Sequence, residues 1–211
     1  MIRHIAKICR RSVEEVKDIQ NQASDRVVQY AVFSRFLQDQ LLRSDLESME
    51  KAVGQLTKPL QQEYEALLQQ TRHWLKDEAS EEKLRVEYAH LFLLPQGVKP
   101  FESVYTSREK LMKQEAWQRV RKLYHENGFQ LEEGQLHPED HVSVELAFMS
   151  CLIETESSVV LQKRFFEEHL QNWIPELLTD VKNSSYSVFY QDVAEQGLWF
   201  LQRENQWLKS C

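Results

Sequence analysis

The chain has 211 residues, 42% hydrophobic and 28% charged, with 33 acidic against 26 basic side chains and a formal net charge of −7. That length can bury a sizeable core in one generous domain or two small ones, and the acidic balance argues against sequence-independent nucleic-acid binding. Only 5 glycines occur, fewer than tight hairpins and phosphate-cradling loops require, so helices are favoured before any pattern is read.

Cys9, Cys151 and Cys211 are odd in number, widely spaced and lack a CxxC pair, which argues against a disulfide framework or structural zinc and for a reducing cytosol. The apolar runs, such as Leu91 to Leu94 and Leu198 to Leu201, fall far short of the roughly 20 residues of a membrane span. Arg10-Arg11 is followed by the acidic segment 13–18 where an export signal places its apolar region, so the expectation is a cytoplasmic protein.

Val27, Tyr30, Phe33, Leu37 and Leu41 recur at helical spacing and predict an amphipathic helix from Ser24 onward. A shorter helix is expected from Ser44 or Asp45 to Val53, with Gly54 ending it through a positive φ. Pro59 opens the next, with Leu60, Tyr64, Leu67, Leu68 and Leu75 inward. Ser80 before Glu81 and Glu82 then reads as an N-cap with an acidic first turn. The prolines and glycine of 95–100 forbid helix continuation. Helix is expected again from near Ser107 through Trp117 and Tyr124 to Asn127-Gly128, and 128–137 reads as a hinge. A helix is predicted near Pro138, with Val142, Leu146, Met149 and Ile153 inward, then one starting at Pro175 and one over about 186–207. No repeat or strand alternation is visible, so the fold class is all-α with roughly eight to ten helices. The parts flanking the hinge are 1–127 and 138–211.

The five glycines at 54, 97, 128, 134 and 197 allow neither GxGxxG, a P-loop nor GxSxG. His125-Glu126 opens an HExxH pattern but Phe129 stands at the second histidine. His137, His141 and Glu145, four apart, would share a helical face as metal ligands if the helix began early enough; the alternative is that Glu139 and Asp140 complement the helix dipole.

Two segments exceed this. Leu91 to Tyr105 joins aromatic anchors, a rigid Pro/Gly turn and Glu102-Ser103, which is how a groove wall is built; the plainer reading is a loop pinned to the core by Phe101 and Tyr105. Pro138-Glu139-Asp140-His141 sets a carboxylate and an imidazole at a helix start, where the plainer reading is capping. In sequence, Tyr88, Leu91, Phe92, Gly97, Pro100, Phe101, Glu102, Ser103, Val104 and Tyr105, then Asp140, His141, Glu145, Leu146, Phe148, Met149 and Leu152, resemble the TorD/DmsD/NarJ family of cytoplasmic redox-enzyme maturation chaperones. A weaker similarity covers His169-Leu170, Trp173, Pro175 and Phe189-Tyr190.

The resemblance implies an all-helical chaperone, not an enzyme, without cofactor or bound metal. It would hold a molybdenum-cofactor oxidoreductase, through its twin-arginine leader or its catalytic subunit, until cofactor insertion and folding are complete. A leader with two arginines and an apolar stretch calls for aromatic walls, carboxylates for the guanidinium forks and a negative field. Tyr88, Leu91 and Phe92 are assigned to the apolar wall, Glu102 and Tyr105 to the loop side, and Asp140 with His141 to the polar end, with Asp140 pairing a leader arginine; Pro100, Pro138 and Glu145 complete the expected leader-binding residues. No nucleic acid or stable membrane insertion is expected, and the oligomeric expectation is a monomer with a minor domain-swapped dimer. The rival reading is a helical adaptor that binds a folded redox-enzyme subunit without leader recognition.

Overall fold

The computed structural model describes residues 3–4, 22–184 and 188–211; Cys9, Arg10-Arg11, the acidic segment 13–18 and Tyr186 lie outside them. Among the described residues the helices are α1 (Gln22–Phe36), α2 (Arg43–Val53), α3 (Lys58–Glu63), α4 (Glu65–Lys76), α5 (Ser80–Tyr88), α6 (Glu102–Thr106), α7 (Glu115–Glu126), α8 (Val142–Glu154), α9 (Val159–Phe165), α10 (Gln171–Ser184) and α11 (Val188–Ser210). Wider π turns at Ala89–Leu93 and Phe166–Leu170 extend α5 and join α9 to α10. Among the described residues one strand pair sets β1 (Arg3–His4) parallel to β2 (Phe129–Gln130). The all-α expectation holds.

Every residue of α8 from Val142 to Ile153 is buried, and a helix apolar on nearly all sides is stable only when neighbours surround it. It packs most extensively on α1, whose Val27, Val28, Tyr30, Val32, Phe33 and Phe36 are buried on several faces. α10 pairs with α11, α4 lies against α2 and α11, and one hydrophobic core draws on both sides of 128–137. Phe129, inside that segment, meets Phe148 edge-on at 5.1 Å. A buried ion pair ties α1 to α11: Arg26 Nη2 lies 2.6 Å from Glu204 Oε1, and the Tyr30 hydroxyl donates to the same oxygen at 3.0 Å.

Several boundaries differ from expectation for local reasons. α1 stops at Phe36, yet Leu37 and Leu41 remain buried through the turn that follows. Gly54 sits at φ −62°, ordinary helical backbone, so its left-handed freedom is unused. The single helix expected after Pro59 divides at Tyr64 into α3 and α4. Ala79 takes the N-cap position and Ser80 is buried inside the first turn. The stretch 107–114 is irregular, with Lys110 and Lys113 at φ 51° and 56°, so α7 begins at Glu115. Pro175 lies inside α10, one turn beyond the Phe166–Leu170 π turn. α8 starts at Val142, leaving Pro138 outside the helix.

Candidate functional site

The first motif segment leaves α5 through a π turn, which buries Tyr88, Leu91 and Phe92 together. The rings of Tyr88 and Phe92 lie 4.9 Å apart, and Phe92 meets Tyr190 of α11 at 6.3 Å. The Pro/Gly loop then folds back on the turn it has left. Val98 N–H donates to the Leu91 carbonyl at 2.7 Å and Gly97 N–H to Leu94 at 3.0 Å, partnering carbonyls that the ending helix would leave orphaned. A Cβ at Gly97 would stand 2.5 Å from the Leu91 oxygen, so this approach requires glycine.

The second motif segment meets the first through the backbone. Phe101 and His141 form an antiparallel bridge. Val142 N–H donates to Pro100 O at 3.0 Å, and Glu102 N–H to Asp140 O at 2.8 Å. Ser103 donates to Asp140 Oδ2 from its hydroxyl at 2.5 Å and its N–H at 3.3 Å, while its Oγ accepts from Gln114 N–H at 3.1 Å. His141 is the N-cap of α8: its Nδ1 accepts from Ser143 N–H at 3.2 Å and lies 2.8 Å from the Ser143 hydroxyl. Its ring stacks on His137 at 3.7 Å, and burial first, then His137, holds its pKa well below the ordinary 6.5. The carbonyl of Gln38 receives both His137 Nε2 and the Tyr88 hydroxyl, at 2.5 and 3.1 Å, joining the two segments again.

Beneath this junction lies a cluster of buried acids. Glu102 Oε2 is 2.9 Å from His169 Nδ1, and Glu145 Oε2 accepts from Trp173 Nε1 at 3.0 Å. Burial, and secondarily the Glu102 charge, raises the Glu145 pKa well above the usual carboxylate range. Burial also raises that of Asp140, against the opposing hydrogen bonds from Ser103.

Eight expected site residues, Tyr88, Leu91, Phe92, Pro100, Glu102, Asp140, His141 and Glu145, are thus buried, while Tyr105 and Pro138 are half-buried. The two motifs are brought together, but their polar groups are turned onto one another. Among the described residues, His137 and His141 are stacked while Glu145 turns to Trp173, because α8 begins after His141; the three do not share one helical face.

Open to solvent beside the Pro/Gly loop is a cleft of about 310 Å³. Loop residues 96–99 form one side, and Tyr105, Glu176, Asp180 and Ser184 line it further. The Tyr105 hydroxyl donates to Asp180 Oδ2 at 2.9 Å, and its ring lies 5.7 Å from Trp173. Sequence reasoning missed Glu176 and Asp180. Their spacing of four on one helix after Pro175 was the available signal, but many solvated helices carry the same pair.

The fold is all-helical, with the two motif segments joined at its interior. The sequence pattern of the nitrate reductase delta subunit family matches residues 54–179, more than half of the chain, and the chain belongs to that family, which includes the TorD and NarJ proteins. The chaperone protein TorD of Vibrio parahaemolyticus is 26% identical over 138 residues, covering 60% of this chain and 64% of that protein. That of Salmonella bongori is 28% identical over 138 residues, 64% of each chain, and that of Actinobacillus pleuropneumoniae 30% over 131 residues, 58% and 62%. The chain therefore spans less than two thirds of the length of these relatives. A crystal structure described as a redox enzyme maturation protein from Archaeoglobus fulgidus shares the fold, with TM-score 0.57, 23% identity, and coverage of 83% of this chain and 93% of that one.

Proposed function

We propose that this protein is a non-catalytic chaperone for the maturation of a molybdenum-cofactor oxidoreductase. It binds the twin-arginine leader of that enzyme, or its catalytic subunit, in the cytoplasm until cofactor insertion and folding are complete. Family membership supports the chaperone role, and among the described residues no helix is long and apolar enough to cross a membrane. The observation that carries the reading of the site is the open cleft at the motif loop, lined by the carboxylates of Glu176 and Asp180, by Tyr105, whose hydroxyl donates to Asp180, and by Lys99 and Lys110. A guanidinium forks onto a carboxylate and stacks on an aromatic face, and a net charge of −7 raises its encounter rate.

In this reading the buried motif residues act in two ways. Pro100, Pro138, Asp140 and His141 fix the loop that walls the cleft, and Tyr88, Leu91 and Phe92 anchor its base. Glu102 and Glu145 meet a leader arginine only if the loop opens. The protein works mainly as a monomer, with a minor dimer exchanged about 128–137. Titration calorimetry with synthetic Arg-Arg leaders and their Lys-Lys counterparts tests the proposal: micromolar binding of one leader that its Lys-Lys form loses is expected, and no binding of any leader contradicts it. A second reading, an adaptor for a folded subunit, is favoured by Leu93 and Leu94, 68% and 38% exposed at the start of the same loop.

A further inference from the structure

The acid cluster beneath the motif junction does more than fill space. Glu102 on α6 and Glu145 on α8 are both 0% exposed. Each has one oxygen committed, to His169 and to Trp173 respectively. The other oxygen of each, Oε1, is buried with no hydrogen-bond donor among the described residues. Donor atoms of Glu102, Glu145 and His169 all fall within 4.8 Å of one another. Two ionised carboxylates buried this close together repel strongly, and a buried charge costs far more than a neutral acid. A single proton relieves the repulsion: one carboxyl becomes neutral and gains an O–H donor.

The groups facing this pair come from every neighbouring element. They are Asp140 from the turn before α8, itself bonded to Ser103 of α6, His169 from the π turn and Trp173 from α10. Asp140 adds negative character and favours proton retention. Among the described residues no lysine or arginine forms an ion pair with either carboxyl, and His169 is the sole cationic candidate.

We propose that Glu102 and Glu145 hold one shared proton between them, and that this acid pair is a pH-sensitive latch fastening the Glu102–Thr106 helix to α8. Loss of the proton to solvent base leaves two buried like charges, and the latch opens on the motif loop. Such paired acids are known elsewhere to titrate as a unit rather than as two independent groups. The direction follows from linkage. The unfolded chain gives up this proton near the ordinary 4.5 while the folded chain retains it, so the contribution is fully present below that pH and is lost as pH rises toward the folded value.

Infrared spectroscopy of the full chain at neutral pH reads the proton directly. A protonated-carboxyl C=O band is expected in the wild type and in Asp140→Asn, and is expected to vanish in Glu145→Gln. In urea unfolding, the wild-type folding constant is expected to fall by up to about tenfold per pH unit above about pH 7, clear of the window in which His137 and His141 act with the opposite sign, with that slope lost in Glu145→Gln. If Glu145→Gln does not fold, Glu102→Gln and the pH titration of the wild-type band replace it. No such band in the wild type, or a band retained in Glu145→Gln and Glu102→Gln, overturns the proposal. A stoichiometric divalent ion in the purified protein, lost in Glu145→Gln, overturns it in favour of a metal cation held by Glu102, Glu145 and His169.

Discussion

The hydroxyl of Ser103 and the carboxylate of Asp140, 37 positions apart in sequence, are hydrogen-bonded at 2.5 Å in the interior. This contact, with the backbone bonds around it, makes the Pro/Gly loop and the start of α8 one unit.

Asp140 therefore carries a stability consequence that its position at a helix start conceals. Asp140→Ala removes the acceptor of two Ser103 donors, and a buried hydrogen-bonding group left unpaired costs about 1–3 kcal/mol. The expected result in urea unfolding is a loss of that size with secondary structure retained by circular dichroism. An unchanged midpoint would show that Ser103 finds another partner.

Gly97→Ala tests the loop. The new Cβ would meet the Leu91 carbonyl at 2.5 Å, and backbone cannot rotate away as a side chain can, so the loop must shift at a cost of about 1–3 kcal/mol. The expected signs are faster hydrogen exchange at Val98 and a lower melting point, while α11 keeps its protection.

Most of the helices were legible in the sequence because their apolar stripes are regular, as in Leu146, Met149 and Ile153. The local failures have a common cause: tertiary partners overrode local signals. Ser80 has the composition of a cap but is buried in the first turn. At the site, the motif residues could be found but not their orientation. Nothing in the spacing of Glu102, Glu145, His169 and Trp173 says that four distant segments converge.

Glu204→Gln isolates the clamp between α1 and α11. It leaves the Arg26 guanidinium, itself stacked 3.9 Å over Trp207, without its carboxylate in a buried place. Removing one partner of a buried pair costs about 3–5 kcal/mol, which chemical denaturation would report as a large drop in midpoint. A change under 1 kcal/mol, the size about expected of exposed pairs, would show that water reaches Arg26.

The histidine pair predicts the acid limb of stability. Burial lowers the pKa of both His141 and His137 below the ordinary 6.5, so the unfolded chain gains protons first as pH falls. Their contribution is present above that value and is lost below it. His141→Asn keeps a capping acceptor for Ser143 but removes the titration, and its unfolding midpoint is expected to fall less steeply between pH 6.5 and 5 than that of the wild type.

Asp180→Ala separates binding from folding. Asp180 is half-buried at the cleft, where its partner Tyr105 can turn to water, so the melting point is expected to change little. Leader affinity is expected to fall about tenfold, the size of one charge-assisted hydrogen bond. Equal affinity in calorimetry would remove Asp180 from the site.

Docking of the leader in the cleft beside the motif loop is located directly by hydrogen exchange with and without a bound Arg-Arg leader. New protection confined to residues 96–105 and 176–184 is the predicted result; protection elsewhere, with that surface unchanged, would contradict it.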